Sequence, residues 1–226
     1  MRNGNCGDLV SPARAYLGQF SDIGRDAPPH ERIAVWLGED LQKDAFAGFE
    51  TFLSIPSPDP DAKKMAESWA NGRVFHASYI LVAALMERVR LNKSFDDLLD
   101  ERLIAGLIHL EHGLLRSEEC KALGTIIENE LLQRSAFETY ARLLVEPSLR
   151  EDATHISGLY DLMREDLHAE LAARLAREWL VCFPHMTAEI EEELIGRLAR
   201  DRDFDTLRPL SRERLADSGL TERKRR

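Results

Sequence analysis

The chain has 226 residues, of which 44% are hydrophobic and 31% are charged, a balance typical of a folded globular protein rather than a disordered one. Its net charge of −10 argues against a nucleic-acid-binding role for the whole surface, because phosphate binding needs a positive field. The apolar residues are mainly Leu and Ala, which together with abundant Glu and Arg favour helices.

The cysteines and the lengths of the apolar runs indicate the cellular compartment of the protein. Cys6, Cys120 and Cys182 are few, odd in number and far apart, which is typical of a reducing environment and of thiols that pack as small apolar groups; we expect Cys182 to lie in the core at a helix end. No window approaches the roughly 18 apolar residues of a membrane span, and the N-terminus lacks a signal-peptide core. We therefore expect a cytoplasmic protein with no membrane partner.

The charge is unevenly distributed. From residue 197 to the C-terminus there are ten Arg and Lys against six Asp and Glu, so this part carries +4 and residues 1–196 carry −14. We predict that residues 217–226, which end in Arg-Lys-Arg-Arg, form a basic solvated tail. A contact of this tail with nucleic acid or with an acidic partner is the alternative.

The N-terminal part predicts three helices and then a break. Ser11-Pro12 is a helix-start signal, and its helix is expected to run to about Ile23, before Gly24. From residue 30 aromatic and aliphatic residues recur at helical spacing, with Gly38 between two helices. We interpret this stripe as a core face, and a ligand-stacking surface as the alternative. Residues 55–60 contain three prolines, which exclude regular structure.

This proline-rich segment is the best candidate boundary. We divide the chain into an N-terminal helical segment (1–55), a helical-repeat domain (61–216) and a basic tail (217–226). A rigid loop inside one domain is the alternative for residues 55–60.

The middle of the chain continues the helical pattern. Residues 61–90 predict helix with an interruption near Asn71-Gly72, and the apolar positions from Val74 to Met86 cover most faces, so we expect a central buried helix there. Ser94 and Ser117 each precede an apolar run and are expected to begin a helix.

The second half has a regular rhythm of helices. Ser135-x-x-Glu138 matches a capping box, and Pro147 is expected to end the helix that it opens. Further helices are expected over 153–164, over 166–183 ending at Pro184, after a capping Thr187, and over 203–216.

The fold class follows from these elements. No alternating strand pattern of useful length occurs, and helices of about 12 to 18 residues joined by short loops pack as antiparallel neighbours. A spacing of about 35 residues per helix pair in the second half is typical of a solenoid. We predict an all-α protein, an irregular HEAT-like α-solenoid of antiparallel helix pairs; an orthogonal multi-helix bundle is the alternative.

The sequence contains no complete catalytic motif. A phosphate-binding loop, a dinucleotide fingerprint and a Gly-x-Ser-x-Gly nucleophile elbow are all missing. Among the carboxylates, Glu87, Glu111 and Asp161 have the most apolar flanks, as a catalytic acid requires, but none has an evident partner. We assign no catalytic and no cofactor-binding residue.

Two half-sites for a metal are present. His109 and His112 are three residues apart on one helical face, a spacing that can ligate a metal, but the acid that completes such a site has to come from another helix. Our preferred interpretation is structural, with His109 in an apolar run and His112 at a helix end. Cys182 and His185 form half of a zinc site at most, so we assign no metal ligand and expect no cofactor.

One stretch resembles a known family. It consists of HAELAARLA over 168–176, Trp179-Leu180, Phe183-Pro184, DFDTL over 203–207 and LSRERLA over 210–216. These residues resemble the HEAT-type helical repeats in the C-terminal sensor regions of large bacterial STAND NTPases of the NACHT kind, and so do PHERIAVWLGEDL over 29–41 and AFAGFE over 45–50. The resemblance implies a sensor or scaffold part, and the chain departs from the family by lacking the nucleotide switch.

The leading functional hypothesis is a non-enzymatic interaction, scaffold or sensor module, whose partner is another protein or the remainder of a larger assembly. The alternative is a helical metal-binding protein or metalloenzyme that uses His109 and His112. A nucleic-acid binder that uses the basic C-terminal end is the third hypothesis.

Overall fold

The computed structural model describes residues 1–20, 26–58, 60–113 and 117–216. Its regular structure consists of twelve α-helices and one 3₁₀ turn, and these residues contain no strand, so the predicted all-α class is confirmed. No helix in the described ranges is both long and apolar enough to cross a membrane. The basic tail predicted at 217–226 lies outside the described residues, as do Ile23 and Gly24.

The chain divides into two compact units, of which the first is Met1–Tyr140. Its helices are α1 (Cys6–Tyr16), α2 (Pro29–Leu37), α3 (Glu39–Leu53), α4 (Ala62–Ala70), α5 (Ala77–Arg90), α6 (Asp100–His112), α7 (Glu118–Gln133) and the start of α8 (Phe137–Arg150). The centre of this unit is α5, which packs against α1, α3, α6 and α7. Residues 80–85 of α5 are all at most 2% exposed. The predicted central buried helix is confirmed.

The second unit begins at Ala141. It contains the rest of α8 and then α9 (Leu159–Arg164), the 3₁₀ turn (Asp166–His168), α10 (Ala169–Cys182), α11 (Ala188–Arg200) and α12 (Phe204–Ala216). Consecutive helices pack on each other, α10 on α11 and α11 on α12, and α9 packs on both α10 and α11. The fully buried side chains of Leu175, Trp179, Leu194 and Leu198 form the core between α10 and α11.

Among the described residues, six helices are followed by a residue of left-handed conformation. These residues are Gly18, Gly72, Asn92, Ser135, Asp152 and Arg202, after α1, α4, α5, α7, α8 and α11. Five of these ends, all except the one at Asp152, are closed by the same pair of backbone hydrogen bonds. After α4, for example, Gly72 N donates to the carbonyl of Trp69 (2.9 Å), and Arg73 N donates to that of Ser68 (2.8 Å). This pair of bonds is the Schellman motif, which satisfies the last carbonyls of the helix and reverses the chain.

The capping box predicted at Ser135 is wrong for this reason. Ser135 has φ of 58°, and the N–H groups of Ser135 and Ala136 donate to the carbonyls of Leu132 (3.1 Å) and Leu131 (2.8 Å). Ser135 therefore ends α7 instead of opening α8. The prediction that Pro147 ends α8 is also wrong, because the helix continues to Arg150. The buried side chain of Leu149 stabilises this last turn.

Three helices begin at a different residue from the one predicted, each for a local reason. The first helix begins at Cys6 because Asn5 caps it, its Oδ1 accepting from Gly7 N at 3.0 Å, so Pro12 lies inside the helix. The sixth begins at Asp100 rather than at Ser94, because residues 94–98 form a turn whose carbonyl groups bind Arg134 of α7. The ninth begins only at Leu159, after Gly158 with φ of 73°.

Other predicted boundaries agree with the structure. Gly38 separates α2 from α3, and the Asn71-Gly72 turn separates α4 from α5. Ser117 caps α7 by accepting from Cys120 N at 3.3 Å. Thr187 occupies the cap position of α11, but its hydroxyl is buried and makes no hydrogen bond to any described residue.

The proline-rich segment joins α3 to α4 within the first unit. Buried Arg102 of α6 fixes its beginning, since Nη2 donates to the carbonyls of Phe52 (2.9 Å) and Ile55 (3.3 Å), and the guanidinium stacks on the Phe52 ring at 4.8 Å. The division of the chain into two compact units falls within α8, between Tyr140 and Ala141, where the sequence of the helix gives no composition signal. Whether residues 1–55 form a separate segment stays a prediction.

The left-handed helix ends can be tested with one substitution. We expect Gly72→Ala to lower the free energy of unfolding by about 1 kcal/mol, since an L residue is strained at φ of 68°. A Cβ at this position meets no other atom within 4 Å, so the effect isolates the backbone. Ser135→Gly is the matched counterpart and should raise stability. Urea unfolding followed by circular dichroism measures both, and an unchanged midpoint for Gly72→Ala would contradict the assignment.

Candidate binding site

An apolar pocket of about 270 Å³ opens among α1, α2, α5 and α7 of the first unit. It is lined by Tyr16, Pro29, His30, Met86, Val89, Arg90, Glu119, Ala122 and Leu123. The last residue of α1, the first turn of α2, the last turn of α5 and the first two turns of α7 supply these side chains. Since helix ends form the wall, the site depends on where each helix starts and stops.

Local sequence explains these helix ends. Pro29 occupies the first position of α2, where the missing N–H costs no hydrogen bond. The hydroxyl of Ser117 caps α7, and Gly18 allows the chain to turn after Tyr16. After α5, Asn92 adopts the left-handed conformation, which Asn tolerates better than most residues.

Two polar side chains of the pocket wall, those of Tyr16 and Arg90, bind one buried carboxylate. Glu87 is 4% exposed. Tyr16 Oη donates to its Oε2 at 3.2 Å, and Arg90 donates from Nε to Oε2 (2.7 Å) and from Nη2 to Oε1 (2.6 Å). Burial, with the charge of Glu87 as the next cause, raises the pKa of Tyr16 well above its usual value, so this phenol stays protonated as a donor.

Because the polar atoms of Tyr16 and Arg90 point to Glu87, these side chains present mainly carbon atoms to the pocket. The surface that faces the cavity is almost entirely apolar, although Tyr16, Arg90 and Glu119 contribute to it. Glu119 carries an ionised carboxylate at the N-terminus of α7, where its own backbone N–H and the Ser117 hydroxyl lower its pKa. The chemistry of the site is therefore that of apolar binding rather than of proton transfer.

The three carboxylates with apolar flanks have different surroundings. Glu87 is buried in the ion pair with Arg90, Glu111 is exposed near the end of α6, and Asp161 is exposed on α9 in the second unit. Sequence reasoning missed Tyr16 and Arg90. The spacing of Glu87 and Arg90 by three residues was the available signal, because such pairs face each other on a helix.

His109 and His112 both lie against Trp69 of α4. The His109 ring is 1% exposed, 5.5 Å from the Trp69 ring and perpendicular to the Tyr79 ring at 5.2 Å. The His112 ring is stacked on Trp69 at 5.2 Å. Neither ring nitrogen of His109 has a hydrogen-bond partner among the described residues. Burial, followed by the nearby His112, lowers the pKa of His109 from 6.5 to about 4.

A metal site on these histidines needs a third ligand. In the described ranges of the chain, no carboxylate, thiol or imidazole joins His109 and His112 in a compact ligand group. The other half-site is at the surface, because Cys182 is exposed at the end of α10 and His185 is exposed as well. The expectation that Cys182 packs in the core is therefore wrong. Cys120, by contrast, is buried.

Because His109 is buried and neutral, we predict that the folded protein loses stability in acid. The pKa of His109 is depressed in the folded protein. Between pH 6.5 and about 4, His109 is therefore protonated in the unfolded chain but not in the folded one. Stability contributed by this residue is complete above pH 6.5 and is lost as the pH falls towards 4, by about 3 kcal/mol in total. Urea unfolding at pH 7.5, 6, 5 and 4.5 measures the loss.

His109→Phe keeps a ring in the same space and removes the titrating group, so its unfolding should vary less with pH than that of the wild type. His185→Gln, which changes an exposed histidine, is the control and should follow the wild type. An equal pH dependence of wild type and His109→Phe would contradict the assignment.

Comparison of the chain with protein-family models, curated proteins and solved structures gives no match.

Proposed function

We propose that the chain is a non-enzymatic protein-interaction module, which binds a protein partner through apolar side chains exposed on its helices. The observation that carries this proposal is the surface of α2 and the start of α3. Val35, Trp36 and Leu41 are 62%, 40% and 41% exposed. We call these three residues the α2–α3 patch. Large apolar side chains that are exposed on two helices packed against each other, as α2 and α3 are, typically mark an interaction site.

The orientation of α2 explains the patch. Ile33 is fully buried and fixes this helix to the unit, whereas Val35 lies two residues further and therefore about 200° around the helix, on the opposite side. The Trp36 ring packs against Phe20 at 5.2 Å between centroids, which fixes it in place. A rigid aromatic ring with a half-exposed face is a typical anchor of protein interfaces.

Charges around the patch indicate the chemistry of the partner. Glu31 and Asp40 are well exposed, and Glu39, which precedes Asp40, is exposed as well. Two cations lie nearby: Lys43 pairs with Asp40 at 3.8 Å, and Arg32 keeps its charge while it donates to the carbonyls of Ala27 and Tyr16. Three carboxylates against two cations leave the rim with an acidic excess, which favours a partner segment that carries Lys or Arg beside apolar side chains.

The architecture supports a scaffold or sensor role. Consecutive helices of the second unit pack on one another, as the irregular HEAT-like solenoid requires, and the resemblance to HEAT-type sensor regions falls mainly on these helices. In the first unit α1 and α3 pack on the non-consecutive α5, which favours the orthogonal-bundle alternative there. We propose that the partner is another protein or the remainder of a larger assembly.

The alternative function, metal binding at His109 and His112, rests on one observation. Depression of its pKa keeps His109 neutral at pH 7, and no described residue binds its ring nitrogens, as a metal ligand requires. Elemental analysis of the purified protein tests it. Stoichiometric metal that disappears in His109→Ala and His112→Ala would establish this function; metal-free protein would exclude it.

The interaction proposal is tested with two matched valines. Chemical cross-linking in the source cells, followed by mass spectrometry, identifies the partner, which is then purified and titrated. We expect Val35→Asp to weaken binding at least about tenfold, because a carboxylate replaces an apolar contact inside the interface. Val181→Asp, at a valine that is 71% exposed on α10, should bind within about twofold of wild type. Equal affinity of all three proteins would contradict the proposal.

A further inference from the structure

The size of the pocket between α1, α2, α5 and α7 limits what can occupy it. Its volume of about 270 Å³ lies below the range of roughly 300 to 1,000 Å³ that is usual for cofactor and drug-sized ligands. An engineered apolar cavity of about 150 Å³ already binds benzene. The pocket therefore has room for a single group, either one ring system or one branched aliphatic side chain.

The electrostatics of the pocket disfavour a charged occupant. Arg90 is already neutralised by Glu87 in a bidentate ion pair, and the carboxylate of Glu119 is exposed to solvent and bound by its own backbone N–H and the Ser117 hydroxyl. The surface that faces the cavity is otherwise almost entirely apolar. A charged ligand would lose hydration on entering the cavity and gain no buried ion pair in return.

The pocket and the α2–α3 patch share a helix. Pro29 and His30 at the start of α2 line the pocket, and Val35 and Trp36 near its end form the patch. A helix of nine residues is about 13 Å long, so one segment of a partner can cover the patch and reach the pocket. A side chain that inserts into such a pocket is the usual anchor of a protein interface.

We propose that this pocket receives one uncharged apolar side chain, aromatic or branched, from the protein that binds the α2–α3 patch. The inference rests on the proposed interaction function and adds the anchor site and the chemistry of the anchor. The polar segment of the partner lies on the acidic rim, and its apolar anchor lies against Met86, Val89 and Leu123. Burial of the anchor supplies affinity that the rim charges cannot.

The first experiment probes the pocket with free indole, the ring of a tryptophan side chain, in NMR titrations of the whole chain. We expect indole to shift the signals of the Met86 methyl group and of Ala122. Tryptamine and indole-3-acetate carry the same ring with opposite charges, and both should bind at least about fivefold more weakly than indole. No shift with indole, or preferential binding of either charged analogue, would overturn the inference.

The second experiment fills the pocket. Ala122 is exposed at the pocket edge. The larger side chains of Ala122→Phe and Ala122→Leu therefore occupy part of the pocket volume without removing a core contact. Ala188→Phe, the same substitution at an exposed alanine of α11 that does not line the pocket, is the matched control, and thermal unfolding verifies that all variants fold. We expect both filled variants to lose indole binding and to bind the partner at least about tenfold more weakly, while Ala188→Phe behaves as wild type.

The outcomes separate this inference from the function on which it rests. If Val35→Asp weakens partner binding but the filled variants do not, the interaction function stands and the anchor pocket is refuted. Indole binding that is blocked in the filled variants without any effect on the partner assigns the pocket to a free small molecule, which also refutes the inference. If Val35→Asp binds the partner normally, the interaction proposal fails, whatever indole does.

Discussion

Burial of α5 on all sides is the constraint on which the first unit depends. Its residues 80–85 are inaccessible to solvent, and α1, α3, α6 and α7 surround it. Burial of each such side chain contributes roughly 1.5 to 3 kcal/mol, so this helix supplies a large part of the driving force for folding. Gly106 of α6 lies opposite Leu85, where a Cβ would approach the Leu85 Cδ1 to 2.7 Å, which shows how closely α6 packs on α5.

The same burial imposes a cost at the end of α5, where two charged residues follow the apolar run. Glu87 and Arg88 are 4% and 5% exposed, and an unpaired charge in such a position would destabilise the fold. Glu87 is bound by Tyr16 and Arg90, and Arg88 is bound by Glu50, Asp97 and the carbonyl of Ser94. Because Tyr16 and Arg90 direct their polar atoms to Glu87, the neighbouring pocket is left apolar. The packing of one helix thus determines the chemistry of the candidate site.

The sequence predicted what depends on periodicity and missed what depends on tertiary contact. The helices, the central burial of α5 and the breaks at Gly38 and Gly72 follow from apolar spacing and glycine. The capping prediction at Ser135 was wrong because a serine before an apolar run has the sequence pattern of a cap. Its left-handed conformation could not be read from the sequence. The pocket was not predictable, since Tyr16 and Glu87 are 71 residues apart and meet only after folding. His109 was rightly recognised as part of an apolar run, but the rings of Trp69 and Tyr79 around it come from other helices.

The Schellman ends of five helices have a consequence for how this chain can evolve. Each reversal is closed by two backbone hydrogen bonds rather than by particular side chains, so exchanging the connecting residue costs no more than the strain of an L residue in the left-handed conformation, about 1 kcal/mol. Asn, Ser and Arg already occupy left-handed positions that glycine fills elsewhere in the same chain. Selection on such a fold acts mainly on the apolar faces of its helices, while the turns between them drift. Homologues of this architecture are therefore expected to keep the apolar faces of their helices and the positions of their turns, while the residues within the turns differ.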